Sequence, residues 1–126
     1  DWRIGIFNRK PIYACKYYMA RSHWQIVNKK AKGSCRYGGF ETLEISAVPK
    51  KILDIALKMA NLIGDGLYGV DLKETSDGRI LMIEVNDNPN IDAGIEDKVA
   101  GQKLYLGIMQ ELLNRVKKIK KLQPAQ

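Results

Sequence analysis

The spacing of apolar residues along the chain changes period several times, and each change marks an element. From the first residue, Trp2, Ile4 and Ile6 alternate with Asp1, Arg3, Gly5 and Phe7, which predicts a strand with one apolar face. Asn8-Arg9-Lys10-Pro11 reads as a polar turn. A second strand follows from Ile12 to about Met19, with Ile12, Ala14 and Lys16 on one face. Residues 20–40 lose all periodicity and are polar, basic and glycine-rich, so they read as a loop. Glu41 to Ile45 alternates again as a short strand. The period then turns helical: Ile52, Ile55, Ala56, Met59 and Ile63 form a stripe widened by Leu53, Leu57 and Leu62. Pro49 suits the first turn of this helix, Gly64 its end, and Asp65-Gly66 the turn beyond. Residues 69–92 read as two apolar strands joined by Ser76-Asp77-Gly78. After a loop at 93–97, Leu104, Ile108, Leu112, Val116 and Ile119 recur about every four residues and predict an amphipathic helix. Asp97 is a candidate cap or first-turn acid for it, the Lys and Arg of its last turns complement its dipole, and Leu122 to Gln126 is expected to fray. The order β-β-loop-β-α-β-β-α predicts an α+β fold, a mostly antiparallel sheet with helices packed on one face.

Composition adds bounds. At 126 residues the chain is one domain or part of one, and a 45% hydrophobic share supports a real core. No run approaches the length of a membrane-spanning segment, and there is no signal-peptide pattern. Cys15 and Cys35 lack metal-type spacing and His23 is the lone histidine, which argues against zinc. Free cysteines fit a reducing cytoplasm, the expected location. The net charge of +7 favours anionic partners: nucleotide phosphates, acidic protein tails or nucleic acid. Much of the excess lies at Lys29-Lys30, Lys50-Lys51 and Arg115 to Lys121, clusters that ordinarily form solvated faces.

The chemistry is concentrated in the hairpin at 69–92. Asp71 interrupts an apolar strand, and so do Glu84 and Asn86. Side chains two apart on a strand share a face, about 6.6 Å apart along its axis, so Glu84 and Asn86 look out together. The turn at 76–78 folds Asp71 back opposite roughly residue 82 to 84, with a bulge at Gly78 leaving the register open by one residue. Acids on a hairpin are ordinarily just the wet face of a sheet. Here the strands are apolar, and Asn88-Pro89-Asn90 follows as a rigid lip. Two carboxylates and an amide oxygen form a hard, oxygen-only set that suits Mg²⁺ (or Mn²⁺) shared with substrate phosphates. Lys16, in line with core residues, is either a cation snorkelling at a strand end or one aimed at a phosphate.

GVDL, about a dozen residues, then IEVNDNP resembles the metal-binding hairpin of the ATP-grasp carboxylate–amine ligases, and most closely their RimK-like branch, the ribosomal-protein glutamate ligases. The likeness extends more loosely from Asp1 to about Met109. It implies that residues 1–126 are the C-terminal subdomain of an ATP-grasp domain, a fragment of a longer enzyme whose preceding subdomain completes the nucleotide clamp. Asp71, Glu84 and Asn86 fall on the family's Mg²⁺-ligand positions. The DWR opening resembles the family's DxR, which makes Asp1 and Arg3 candidate ATP contacts, with Lys16 and Asn28 beside them. Lys16 stands near a position where relatives carry a phosphate-binding Arg, and a lysine lacks that planar fork. The family's Arg-Ser-Asn loop triplet is replaced by about Trp24-Gln25-Ile26, and its His-Arg-Gly-Gly by Arg36-Tyr37-Gly38-Gly39, which sets this chain in a sub-branch. The implied reaction transfers the γ-phosphoryl group of ATP to a carboxylate. An amine then attacks the acyl phosphate and expels phosphate to form an amide; in the closest branch the donated group is glutamate and the acceptor a protein or peptide terminus. Lys16 and Arg36 are the candidate catalytic cations. On this reading the isolated segment is inactive as a catalyst.

Three other readings compete. A glutathione-synthase-like ligase of small molecules shares the same hairpin. A degenerate ATP-grasp domain would bind nucleotide or a partner without ligation. A basic module binding nucleic acid or an acidic partner without catalysis is allowed by the charge, with Tyr17, Tyr18, Trp24 and Tyr37 as stacking surfaces, though no nucleic-acid motif supports it.

Overall fold

The computed structural model describes residues 1–19 and 38–122. The expected loop residues Arg21, His23, Trp24, Gln25, Asn28, Cys35 and Arg36 lie outside them, as do residues 123–126. The order is β1 (Trp2–Phe7), β2 (Lys10–Tyr17), β3 (Phe40–Leu43), α1 (Lys50–Ile63), β4 (Leu67–Glu74), β5 (Ile80–Asn86) and α2 (Gln102–Leu122). One turn of 3₁₀ helix, Ile45–Ala47, stands between β3 and α1. The strands form one sheet in the order β3-β2-β1-β4-β5, antiparallel at every pairing. The α+β class with an antiparallel sheet is therefore the architecture found.

The β1–β2 connection is tighter than the expected four-residue turn. Only Asn8 and Arg9 are outside the strands, with φ of 48° and 62°. Two positive-φ residues in succession match the right-handed twist of the flanking strands. Pro11 lies inside β2, where the register with β1 shifts between Gly5 and Ile6. A proline has no N–H to give to the ladder, and a bulge tolerates that loss.

Alternation along β1 divides the sheet as its pattern predicts. Trp2, Ile4 and Ile6 join Ala14, Val70 and Leu72 on the face covered by α1, and together with Val48, Ile52, Ala56, Ala60 and Tyr68 they form the core. The helix meets the sheet along Ile52, Ala56 and Ala60, all buried, with Leu53, Ile55, Leu57 and Met59 partly buried beside them. This corrects the expected stripe. Ile63 and Leu62 are 58% and 75% exposed. Ile63 lies on the same helical face as Ile52, Ala56 and Ala60 but is the last residue of α1, so its exposure belongs to the helix end and not to a different face.

The second helix differs more. Its expected line Leu104, Ile108, Leu112, Val116, Ile119 does not stay on one side: Leu104 is buried, Ile108 half-buried, and Leu112, Val116 and Ile119 exposed. A strict four-residue step overshoots a 3.6-residue turn by about 40° each time, so such a line winds off the contact face. Asp97 does not cap this helix. Its carboxylate accepts the Gly94 N–H at 2.6 Å and the Tyr105 hydroxyl at 2.9 Å, and the helix begins at Gln102. Where α1 lies on the core face, α2 meets the β1–β2 end through Arg115, whose guanidinium stacks on the Phe7 ring at 5.1 Å and bonds Asp65.

The uneven cover along α1 is testable with one residue type on one helix. Ile52→Ala, at 1% exposure, is expected to cost about 2–5 kcal/mol, whereas Ile63→Ala should stay within about 0.5 kcal/mol. Urea unfolding of the two variants would reveal equal losses if the stripe were placed as its sequence spacing alone suggests.

Candidate functional site

The face opposite α1 carries the polar residues of the hairpin. Val70 and Leu72 are buried on the α1 side, so Asp71 between them turns to the other side. In the β4–β5 ladder Asp71 is directly opposite Glu84, and Gly69 is opposite Asn86. Direct cross-strand partners share a face, and Glu84 and Asn86 are two apart, so the three expected ligand positions lie together on the open face. The register irregularity falls beside Asp71, not at Gly78. Leu72 pairs with Met82, which leaves Ile83 as the extra residue. Gly78 serves the turn instead, at φ 78°. A bulge here increases the local twist and re-aims side chains next to Asp71.

Asp71 is held from the neighbouring strand. Arg3 Nε and Nη2 donate to its two carboxylate oxygens at 2.9 and 2.8 Å. The third guanidinium nitrogen lies 3.8 Å from Glu96, a carboxylate only 1% exposed. The Tyr17 hydroxyl donates to Glu96 at 2.6 Å, and the Asp92 N–H donates to its other oxygen at 2.9 Å. Arg3 also faces the Tyr17 ring at 5.8 Å. The Asp71 contact holds the guanidinium even more firmly in its charged form. Burial, followed by the bond to Glu96, pushes the Tyr17 phenol well above its usual range, and burial does the same to Tyr13. A cleft of about 280 Å³ opens beside this network, lined by Asp1, Arg3, Tyr17, Asp71, Ile83 and Asp92 among others.

The segment after β5 folds over the same face. Asn86 Oδ1 accepts the Asn88 N–H at 2.8 Å, closing a turn, and Pro89 settles on Gly69. A Cβ at Gly69 would stand 2.8 Å from Pro89 Cβ, and one at Gly5, the paired residue on β1, would strike the Tyr13 ring at 2.2 Å. Two glycines side by side thus leave the groove in which the expected lip and Tyr13 lie.

The remaining candidates separate. Asp1 is on the open face, but its partner is Lys73, with Nζ at 2.6 Å. Lys73 was not among the sequence candidates, although it stands two residues from Asp71 and the period of two already put it on that face. Glu96 gave no such signal, since it sits in an aperiodic loop. Lys16, read either as a cation snorkelling at a strand end or as one aimed at a phosphate, is on the α1 face. Its Nζ lies over the Trp2 ring at 4.7 Å and 3.8 Å from Glu74, at a strand end. The Trp2 indole N–H donates to the same Glu74 carboxylate at 3.1 Å. The sheet itself therefore stands between Lys16 and Asp71. Asn28 and Arg36 lie outside the described residues.

The donor set fits a hard divalent cation. Among the described residues no group of three His, Cys, Asp or Glu is placed to hold a metal ion, and the third expected position, Asn86, is an amide. Two carboxylates directly opposed repel each other, and Arg3 neutralises only Asp71. Glu84 is exposed and has no hydrogen bond or ion pair with the described residues. Each carboxylate or amide oxygen carries two lone pairs, so Asp71 and Asn86 keep acceptor capacity beyond their present bonds.

No protein-family model matches the chain. A curated relative, formate-dependent phosphoribosylglycinamide formyltransferase of Ignicoccus hospitalis, is 45% identical over 49 residues, 38% of this chain and 12% of that protein. Among solved structures, ATP-grasp ligase PsnB complexed with minimal precursor superposes with a TM-score of 0.59 at 18% identity, covering 88% of this chain and 36% of that one. The same ligase complexed with a phosphomimetic variant of the precursor, Mg and ADP gives 0.50 at 19% identity over 75% and 25%. The chain thus spans about an eighth of the curated relative's length and about a third of the solved ligase. It has the fold of part of an ATP-grasp ligase.

The buried phenols predict an alkaline limit to stability. Tyr13 and Tyr17 are raised above the ordinary 10, and the Cys15 thiol is pushed by burial from 9 to about 11. Groups raised in the folded state stabilise fully below their unfolded values, and that stability is lost as pH climbs through and beyond them. The urea midpoint is expected to fall from about pH 9 upward, and Tyr17→Phe should make the fall shallower. The same variant should cost about 1–3 kcal/mol at pH 7 by leaving Glu96 short of a donor. An unchanged alkaline slope in Tyr17→Phe would mean the phenol is not the titrating group.

Proposed function

We propose that this chain supplies the metal and nucleotide-phosphate side of an ATP-dependent carboxylate–amine ligase of the RimK-like branch. The observation that carries the reading is the register that sets Asp71 opposite Glu84, with Asn86 on the same face, in a fold shared with ATP-grasp ligases. Asp71, Glu84 and Asn86 would hold Mg²⁺, which supplies charge neutralisation at the phosphates of ATP during transfer to a carboxylate. The chain's own part is positional. Arg3 fixes the rotamer of Asp71 through a two-point contact, and Glu96 and Tyr17 fix Arg3 in turn. Glu84, without an internal partner among the described residues, is open to an incoming cation. Lys73 and Asp1 stand as a charged pair on the same face, where the lysine meets an anionic ligand more directly than Lys16 does. Asn28 and Arg36 are assigned the further contacts with nucleotide and developing oxyanion that the likeness implies.

The two similar proteins suggest a substrate class. The curated relative's name pairs formate, a carboxylate, with a glycinamide, and the solved ligase holds a precursor. Glutamate as the carboxylate and a protein or peptide terminus as the amine is the assignment we adopt for the whole enzyme.

Titration with Mg²⁺ and a non-hydrolysable ATP analogue, followed by NMR shift mapping, tests the site. Shifts are expected at Asp71, Glu84 and Asn86, to require Mg²⁺, and to disappear in Glu84→Gln. Shifts spread over the surface lysines, insensitive to Mg²⁺ and unchanged in that variant, would replace this reading with a merely basic surface.

A further inference from the structure

The cleft beside Asp71 is small, and much of its wall is apolar. At about 280 Å³ it falls just under the usual size of a pocket for a whole small-molecule ligand, so it suits the end of a molecule and not an entire nucleotide. Tyr17, Ile83 and Ile95 line it, and Ile83 is the extra residue of the β5 bulge. Ile95 stands in the segment that the bonds to Glu96 tie down over the sheet.

The charged groups that line the cleft are committed, with one exception. Arg3 gives two N–H groups to Asp71, and its third nitrogen turns to Glu96. The Asp1 carboxylate accepts from Lys73 at 2.6 Å, and the Asp1 amine donates to the Tyr17 carbonyl at 2.8 Å. Asp92 differs. Its backbone is fixed, with the N–H donating to Glu96 at 2.9 Å and the carbonyl accepting the Ile95 N–H at 3.1 Å. Its side chain is exposed and has no hydrogen bond or ion pair with the described residues. The cleft therefore offers one uncommitted negative charge on a held backbone, beside the spare lone pairs of Asp71, and no uncommitted positive charge among the described residues. A carboxylate entering here would have to break the Arg3 fork to find a donor. We infer that this cleft takes the amine partner of the ligation, as a primary ammonium group held by the Asp92 carboxylate with its alkyl stem against Ile83, Ile95 and Tyr17. An ammonium brings three donors and no acceptor, which matches a site whose free polar atoms are carboxylate oxygens. Calling this ammonium a ligation partner rests on the ligase reading, whereas its binding requires neither Mg²⁺ nor nucleotide.

NMR shift mapping of the chain with n-butylammonium chloride, without Mg²⁺ or nucleotide, tests this, with sodium butyrate as the anion of like shape. Butylammonium is expected to give saturable shifts at Ile83, Asp92 and Ile95, and butyrate to leave those signals in place. Asp92→Asn keeps the backbone bonds to Glu96 and Ile95, so the rest of the spectrum should be preserved while ammonium binding weakens about 10-fold or more. Leucinamide, an amino terminus without a carboxylate, stands for a peptide terminus and butylammonium for a lysine-like side chain; the tighter of the two names the source of the amine. The inference is overturned if neither amine moves the cleft residues, if butyrate moves them equally, or if Asp92→Asn binds the amine as the unsubstituted chain does. Mg²⁺ titrated alone is the remaining arm: shifts at Asp92 that vanish in Asp92→Asn would make this residue a metal contact and sink the proposal. A chain that binds butylammonium at Asp92 yet shows no Mg²⁺-dependent nucleotide shifts keeps the ammonium site and loses the ligase reading.

Discussion

The open face of the sheet depends on the fork of Arg3 against Asp71. It joins β1 to β4 on the side away from the core, at two donor–acceptor distances below 3 Å. A lysine there would give a point charge on a flexible stem and leave the carboxylate free to rotate. With arginine the carboxylate plane is set, and the guanidinium still reaches a second, buried acid in Glu96. That acid would be costly to bury alone. The Tyr17 hydroxyl and the Asp92 N–H supply the bonds that make it tolerable, and they tie the loop after β5 down onto the sheet. Three carboxylates on one small surface are thus compatible with folding because one cation is shared between two of them, while Glu84 stays at the wet edge.

Much of this was legible in the sequence, for reasons that can be named. The period of two assigned the residues of β1 to their faces and set Glu84 and Asn86 on one face of β5, while the turn at 76–78 folded Asp71 back toward them with the register open by one residue. The five strands and both helices were visible because apolar spacing switches period between them. Legibility failed where a side chain's environment depends on contact and not on spacing. Ile63 keeps to the stripe's face but ends the helix, and a residue's place at an element's end decides its cover in a way spacing does not. A four-residue rhythm in α2 concealed a helix that winds off its support. Lys16 obeyed the alternation rule, but the rule put it on the core face, where the Trp2 ring and Glu74 hold it. Glu96 was illegible because a loop has no period, and its partners come from 79 residues earlier in the chain and from the turn just before it.

The extra residue beside Asp71 has a consequence for how far the sheet extends. β5 is the outermost strand on its side of the order, and Leu81, Met82 and Ile83 on it are exposed. A flat apolar edge of that kind offers a row of unpaired backbone groups to any extended chain that drifts past, which is how ordered proteins become templates for aggregation. The bulge at Ile83 breaks the row in its middle and coils the strand, so a visiting chain finds neither a straight ladder nor a single register. The irregularity beside the candidate cation site therefore also blunts this edge of the sheet against pairing with another chain.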